Sequence, residues 1–312
     1  MSHDQGVIPD EQEPSLGHQR SWYWRGWRIR YSFLVAARAT DRPPILLLHG
    51  FGASLGQWRR TLAPLAQQHP VYALDLLGFG GSAKAATTFG TDLWVEQVHD
   101  FWCHWLGEPV VLMGHSLGAL VALTAAITYP EMCDRIVLLT LPAARQELLP
   151  GWLEAIARPL ERTFSTPLLI RPLFGVVRQP WLLRAVLRNL YSRPERVDAA
   201  LVDSFARPPR ERGAARTLCY LVRSRTNTHF SPATRPLVQQ LYHPTLLLWG
   251  QADQVIPPQW GRQVTCLNDH VTLVELPNAG HFLYDEYPDQ VNQAILDWLG
   301  TDFSREVSAS PH

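Results

Sequence analysis

The sequence predicts an α/β architecture, a mostly parallel sheet with helices on both faces, interrupted once by a helical insertion. Three observations carry this reading. Short, wholly apolar runs alternate with helix-period segments from residue 45 to residue 139 and again from residue 245, the mark of strands buried on both faces. At Pro142 the alternation stops, and helical patterns punctuated by proline follow to about residue 241. Between the two blocks of alternation, one strand–helix junction carries Gly114-His115-Ser116-Leu117-Gly118, a G-x-S-x-G turn.

Taken in order, residues 1–20 are polar with no apolar core and read as a flexible tail rather than a signal peptide. Residues 22–36 alternate apolar and polar around Gly26, which predicts an antiparallel strand pair with a turn or bulge at the glycine. Trp27, Ile29 and Tyr31 then face inward, and Arg25, Arg28 and Arg30 decorate an edge strand rather than a nucleic-acid platform. Strands follow at 45–49, 71–75, 110–113 and 135–139, with helices at 57–68, 92–106 and 117–128. The insertion shows Trp152/Ile156/Leu160 and Leu182/Val186/Leu190 at helical spacing. Strands at 245–249 and 271–274 and a helix at 289–299 complete the pattern.

The expected organisation is a tail (1–20), a core (21–141 and 241–301), a helical cap or lid (142–240) and a C-terminal tail (302–312). An insertion that leaves a strand end lands on the C-terminal edge of the sheet, where open α/β folds bind ligands.

Of the 312 residues, 46% are hydrophobic and 18% charged, and 28 basic residues balance 28 acidic ones. That neutrality argues against a nucleic-acid partner. It conceals an uneven distribution: residues 142–240 hold sixteen arginines against seven carboxylates. A cap so charged is expected to touch an anionic membrane surface. No run reaches the roughly 18 apolar residues of a membrane span, so the expected location is cytoplasmic, at most peripheral to a membrane. Cys103, Cys133, Cys219 and Cys266 form no C-x-x-C pair and have no histidine at zinc-ligand spacing. They are expected to be buried thiols, with no metal and no cofactor.

A serine attacks only when a base takes its proton and a third group holds that base in the right tautomer. Ser116 is the candidate nucleophile. Asp253 and His281 each follow a predicted strand end, at the same sheet edge, in the chain order Ser, Asp, His. Gly114 and Gly118 keep bulk away from the turn. The oxyanion of a tetrahedral intermediate needs amide donors. Leu117, after the nucleophile, and Phe51, in the loop His49-Gly50-Phe51-Gly52, are the candidates. His49, Gly50 and Gly52 shape that loop, and His115 is expected to pack rather than react. Asp75 to Ser82, although glycine-rich, lacks the phosphate-loop lysine and reads as a tight turn.

These motifs, with Gly78-Phe-Gly-Gly-Ser82 and Gly280-His281, resemble those of the α/β-hydrolase superfamily over about residues 22–300. The tryptophan-rich first strands and Pro43-Pro-Ile-Leu-Leu-Leu-His-Gly-Phe-Gly-Ala-Ser54 resemble cyanobacterial and plastid hydrolases, including the pheophytinase and chlorophyll dephytylase group. The segments Val186–Tyr191 and Arg196–Asp198 look similar too, whereas His115 stands where that group usually has Asn or Asp. The resemblance implies a serine hydrolase of carboxylic esters acting through an acyl-enzyme, on a small-molecule ester with a bulky or long hydrophobic group. Trp152, Phe164, Leu168, Leu169, Phe174, Trp181 and Leu182 would enclose that group in an apolar tunnel. A C–C bond hydrolase, a cofactor-free haloperoxidase, a lyase or a hydrolase-like receptor would share the same motifs. The serine at position 116 speaks against relatives that attack with aspartate.

Overall fold

The computed structural model describes residues 16–144, 147, 172, 174–225, 227 and 230–301. Its strands are β1 (His18–Trp24), β2 (Trp27–Leu34), β3 (Ile45–Leu48), β4 (Val71–Leu74), β5 (Val110–His115), β6 (Cys133–Leu139), β7 (Thr245–Gly250) and β8 (Val271–Leu276). They form one sheet in the order β1-β2-β4-β3-β5-β6-β7-β8. The first two strands join antiparallel, and every pair from β4 to β8 is parallel.

The period-two rule explains why the central strands are apolar throughout. Leu46, Leu48, Leu112, Leu138 and Leu247 enter the core on one face of the sheet. Ile45, Leu47, Val111, Met113, Val137, Leu139, Leu246 and Leu248 enter a second core on the other. Helices α2 (Thr91–Trp105) and α3 (Leu117–Thr128) supply Trp94, Phe101 and Val121 to the first. The short α1 (Leu62–Leu65) supplies Leu62 and Leu65 to the second.

Four expectations need correction. Strand β1 starts at His18, inside the expected tail, because the backbone of residues 18–20 pairs with Tyr31, Ser32 and Phe33 although the side chains of His18, Gln19 and Arg20 are exposed. The helix expected at 57–68 is broken into a 3-10 turn (Leu55–Trp58) and α1. Pro64 cannot donate to the Arg60 carbonyl, which instead accepts from Asn292 Nδ2 at 2.8 Å. Cys133 and Cys219 are buried, but Cys103 and Cys266 are exposed, on helix and turn surfaces that no core covers. In the insertion, the helix Pro180–Leu190 buries Leu187 and packs the partly buried Leu183 and Leu190 beside it, whereas Val186, in the Leu182/Val186/Leu190 pattern, is exposed. The Trp152 pattern lies outside the described residues, as do Phe164, Leu168 and Leu169 and the tail 302–312.

The described helices between β6 and β7 are α4 (Pro180–Leu190), α5 (Ala199–Ala206), α6 (Ala214–Arg225) and α7 (Thr234–Gln240). Polar side chains fasten them to the sheet edge. Arg59 is the largest clasp. It donates from Nη1 to both oxygens of Asp198, the N-cap of α5, at 2.7 and 2.8 Å. From Nε and Nη2 it grips Asp285 at 2.9 and 3.0 Å. Helix α6 is held near both ends, by Thr217 Oγ1 to Ala85 O at 2.9 Å and by Phe89 N to Ser224 Oγ at 3.0 Å. Glu147 accepts from the Ala144 amide at 2.7 Å and from the Thr234 and Arg235 amides at 2.9 Å each, so one carboxylate joins the segment's entry to α7. After β7 come α8 (Pro258–Thr265), α9 (Leu283–Glu286) and α10 (Pro288–Leu299). Among the described residues, no helix is long and apolar enough to cross a membrane.

Candidate functional site

Ser116 sits between β5 and α3 with φ 51° and ψ −116°, a left-handed conformation that a residue with a side chain rarely adopts. Two close approaches force it. A Cβ on Gly114 would lie 2.2 Å from the Gly118 carbonyl oxygen, and one on Gly118 would lie 2.1 Å from that of Leu48. Only glycine lets the turn close this tightly. Thr140 (φ 50°) and Asn278 (φ 61°), just past β6 and β8, share the strain, so it gathers at the C-terminal edge of the sheet.

The structure brings Asp253 and His281 together. Asp253, on the loop after β7, receives the Val255 and Ile256 amides on Oδ1 at 2.7 and 2.9 Å. Its Oδ2 accepts from His281 Nδ1 at 2.8 Å, with both side chains buried. That bond places the imidazole proton on Nδ1 and leaves Nε2 as an acceptor. Ser116 Oγ makes no hydrogen bond among the described residues.

His115, expected to pack, also links. Its Nε2 donates to the His281 carbonyl at 3.0 Å, and burial pushes its pKa far below the ordinary value, so the ring is neutral. Gly50 is small because a Cβ there would lie 2.9 Å from His115 Nδ1. His49 is likewise buried and depressed in pKa by that burial. Its Nε2 accepts from Leu76 N at 3.1 Å, which leaves Nδ1 to donate to Gly50 O at 2.8 Å. With Gly50 N on Gln57 Oε1 at 3.0 Å, the Gly50–Gly52 loop is fixed from both sides. Gly52 takes φ 73° at its end. The Leu117 amide opens α3, where the first amides have no intrahelical acceptor.

A cavity of about 250 Å³ lies over the serine, lined by Phe51, Ser116, Leu117, Leu120, Arg225 and Phe230 among others. Behind Phe51, a smaller apolar cavity of about 90 Å³ contains Phe174, Pro208 and Leu221. Of the residues expected to wall a tunnel, Phe174 lines this smaller cavity and not the one over Ser116, Trp181 is 67% exposed and Leu182 is half-buried. Among the described residues, no group of three or more His, Cys, Asp and Glu is placed to hold a metal ion.

Several residues that matter here carry no local signal. Asp75, buried, accepts from Arg30 Nε at 2.6 Å, Leu55 N at 2.6 Å and Gly81 N at 2.7 Å, and so ties the glycine turn to the flank of the Gly50–Gly52 loop. Glu286 accepts from Gly280 N at 3.2 Å and Ser192 N at 3.1 Å and is bonded to Ser192 Oγ. Burial raises its pKa. Ser192 Oγ also donates to Asn278 O at 2.7 Å, so the insertion and the His281 loop share one network. The acidic pair Asp285-Glu286, soon after the histidine, was the available clue.

Residues 43–288 match the family described as alpha/beta hydrolase fold. This chain belongs to the α/β-hydrolase family. Among curated relatives, an uncharacterized hydrolase, YugF of Bacillus subtilis, is 25% identical over 263 residues, covering 83% of this chain and 90% of its own. Human ABHD5, named a 1-acylglycerol-3-phosphate O-acyltransferase, is 26% identical over 306 residues, covering 88% of this chain and 81% of its own. Among solved structures, a bacterial membrane phospholipase A superposes with a TM-score of 0.72 at 25% identity, covering 91% of this chain and 86% of its own. The α/β-hydrolase fold accounts for the parallel sheet and for the serine turn at its edge.

Proposed function

We propose that this α/β-hydrolase cleaves a carboxylic ester with a long or bulky hydrophobic group, through an acyl-enzyme on Ser116. The observation that carries the reading is the buried Asp253–His281 bond beside a strained serine under a cavity. His281 Nε2 takes the Ser116 proton as Oγ attacks the carbonyl carbon. The Leu117 and Phe51 amides receive the oxyanion, and His281 returns the proton to the departing alcohol. Water then repeats the sequence on the acyl-enzyme and releases the acid. The apolar surfaces of Leu120, Phe230 and Phe51 suit a hydrophobic chain, and a similar solved structure is named a membrane phospholipase A.

An active-site fluorophosphonate is expected to label the protein and to leave Ser116→Ala unlabelled. Asp253→Asn is expected to lower kcat about 10⁴-fold with the melting temperature unchanged. Equal labelling of both proteins would sink the assignment.

The cap also presents Val176, Val177, Trp181 and Val186 to solvent, with Arg184 and Arg188 exposed beside them. An indole among apolar and cationic side chains suits the anionic interface from which an apolar ester would be taken.

A further inference from the structure

The wall of the serine cavity contains one charged residue among the described ones, Arg225. It is the last residue of α6, and its neighbour Ser224 is fixed to the core through the Phe89 amide at 3.0 Å. Its position is therefore set by a buried anchor. The guanidinium carbon stands over the Phe51 ring, 5.7 Å from the centroid. No carboxylate of the described residues lies within ion-pair distance of it. A cation at a helix C-terminus favours the dipole, but Arg223 in the same turn serves that end equally. The dipole does not require a guanidinium in the cavity wall.

A guanidinium is always charged, and one laid over an aromatic face keeps its in-plane N–H donors available. Two parallel N–H groups match a phosphate or a carboxylate. The insertion's sixteen arginines against seven carboxylates over residues 142–240 make the same region attractive to anions. Phe51 belongs to the loop that would bind the reacting oxygen, so a group held by Arg225 would lie a few atoms from the scissile bond.

We propose that Arg225 binds a phosphate or carboxylate of the substrate, so that the ester taken by this site is an amphiphile, anionic near its scissile bond. This rests on the hydrolase reading for its substrate class but not for its test. In the Ser116→Ala protein, binding is read without turnover. The probes are 1-monolauroylglycerol, its 3-phosphate and its 3-hemisuccinate, titrated calorimetrically below their micelle concentrations.

Both anionic probes are expected to bind on the order of tenfold more tightly than the neutral one. Adding Arg225→Gln should erase that gap, and Arg225→Lys should keep part of it. The gap should narrow as salt rises. Whichever anion binds more tightly identifies the source. Arg225 is exposed, so the melting temperature of each variant should match its parent. In the parent protein, Arg225→Gln should raise KM for the anionic ester well beyond any change it makes with the neutral one. Equal affinity for charged and neutral probes, or a gap that survives Arg225→Gln, overturns the proposal. Absence of ester turnover with the gap intact would overturn only the hydrolase reading.

Discussion

At the serine turn, the structure depends on backbone meeting backbone: the α-carbons of Gly114 and Gly118 face carbonyl oxygens too close to admit a methyl group. In the helical insertion above it, attachment depends on side chains, on Arg59 between two aspartates and on Ser192 against Glu286. The first kind of contact tolerates no substitution, because no rotamer relieves a clash with a main chain. The second can be exchanged for another polar pair. Ser116 thus stands on the part of the molecule that cannot change, while the insertion above it is held by parts that can.

The sharpest way to break this comparison is the same substitution in both regions. Gly118→Ala puts a Cβ 2.1 Å from Leu48 O and is expected to cost about 3 kcal/mol or more by urea denaturation. Gly175→Ala, with nothing within 4 Å of the added methyl, is expected to be neutral or to stabilise by up to about 1 kcal/mol. Equal losses would show that the turn is no more constrained than the insertion.

The next largest effect is expected from Arg59→Met. It takes from Asp285, 1% exposed, its closest cation, leaving Arg60 at 3.5 Å and the Tyr191 hydroxyl at 3.2 Å, and it releases Asp198, 40% exposed, so a loss of about 3 kcal/mol is expected at neutral pH. Burial pulls the Asp198 carboxyl upward, but the Leu201 amide and the Arg59 guanidinium outweigh it and hold it below the ordinary range. A depressed acid contributes stability that is present above its unfolded pKa, about 3.9, and is lost as pH falls through the lower folded value. The difference between parent and Arg59→Met should therefore shrink in strong acid. A constant difference from pH 7 to pH 2 would remove Asp198 from the clasp.

The smallest effect on stability should come from Trp181→Ala, within about 0.5 kcal/mol as a surface change. Its effect should appear instead in sedimentation with vesicles. Binding to anionic vesicles at low salt should weaken in the variant and vanish for both proteins at high salt. No binding of the parent at low salt would make the exposed Trp181 ordinary surface.

The same division governs what could be read from the chain. Strands β3, β5, β6 and β7 were legible because burial on both faces leaves short apolar runs. Helix α3 was legible to the residue, since Ser116 and the glycines around it mark its start. The tight turn at Ser116 and the meeting of Asp253 with His281 were legible from their places after strand ends. The break at Pro64 was half legible: the proline was visible, but not Asn292, which takes the Arg60 carbonyl from 232 residues away. Helix α4 showed its period in Leu182, Val186 and Leu190, but not that Val186 would be exposed and Leu187 buried, because Leu182, Leu183, Val186 and Leu187 offer two apolar stripes and only packing against α5 chooses between them. Arg225 was one arginine of sixteen in the insertion until the fold set it over Phe51.

The carboxylate of Glu147 touches amides at residues 144, 234 and 235. Thr234 Oγ1 adds a bond to the Pro142 carbonyl at 2.9 Å. The two ends of an excursion of some ninety residues therefore meet at a single stem, like the mouth of a drawn purse. What lies between can be lengthened, shortened or traded for a stranger's segment without stretching the sheet beneath, provided the stem is kept. For an engineer this marks Ala144 and Thr234 as splice points.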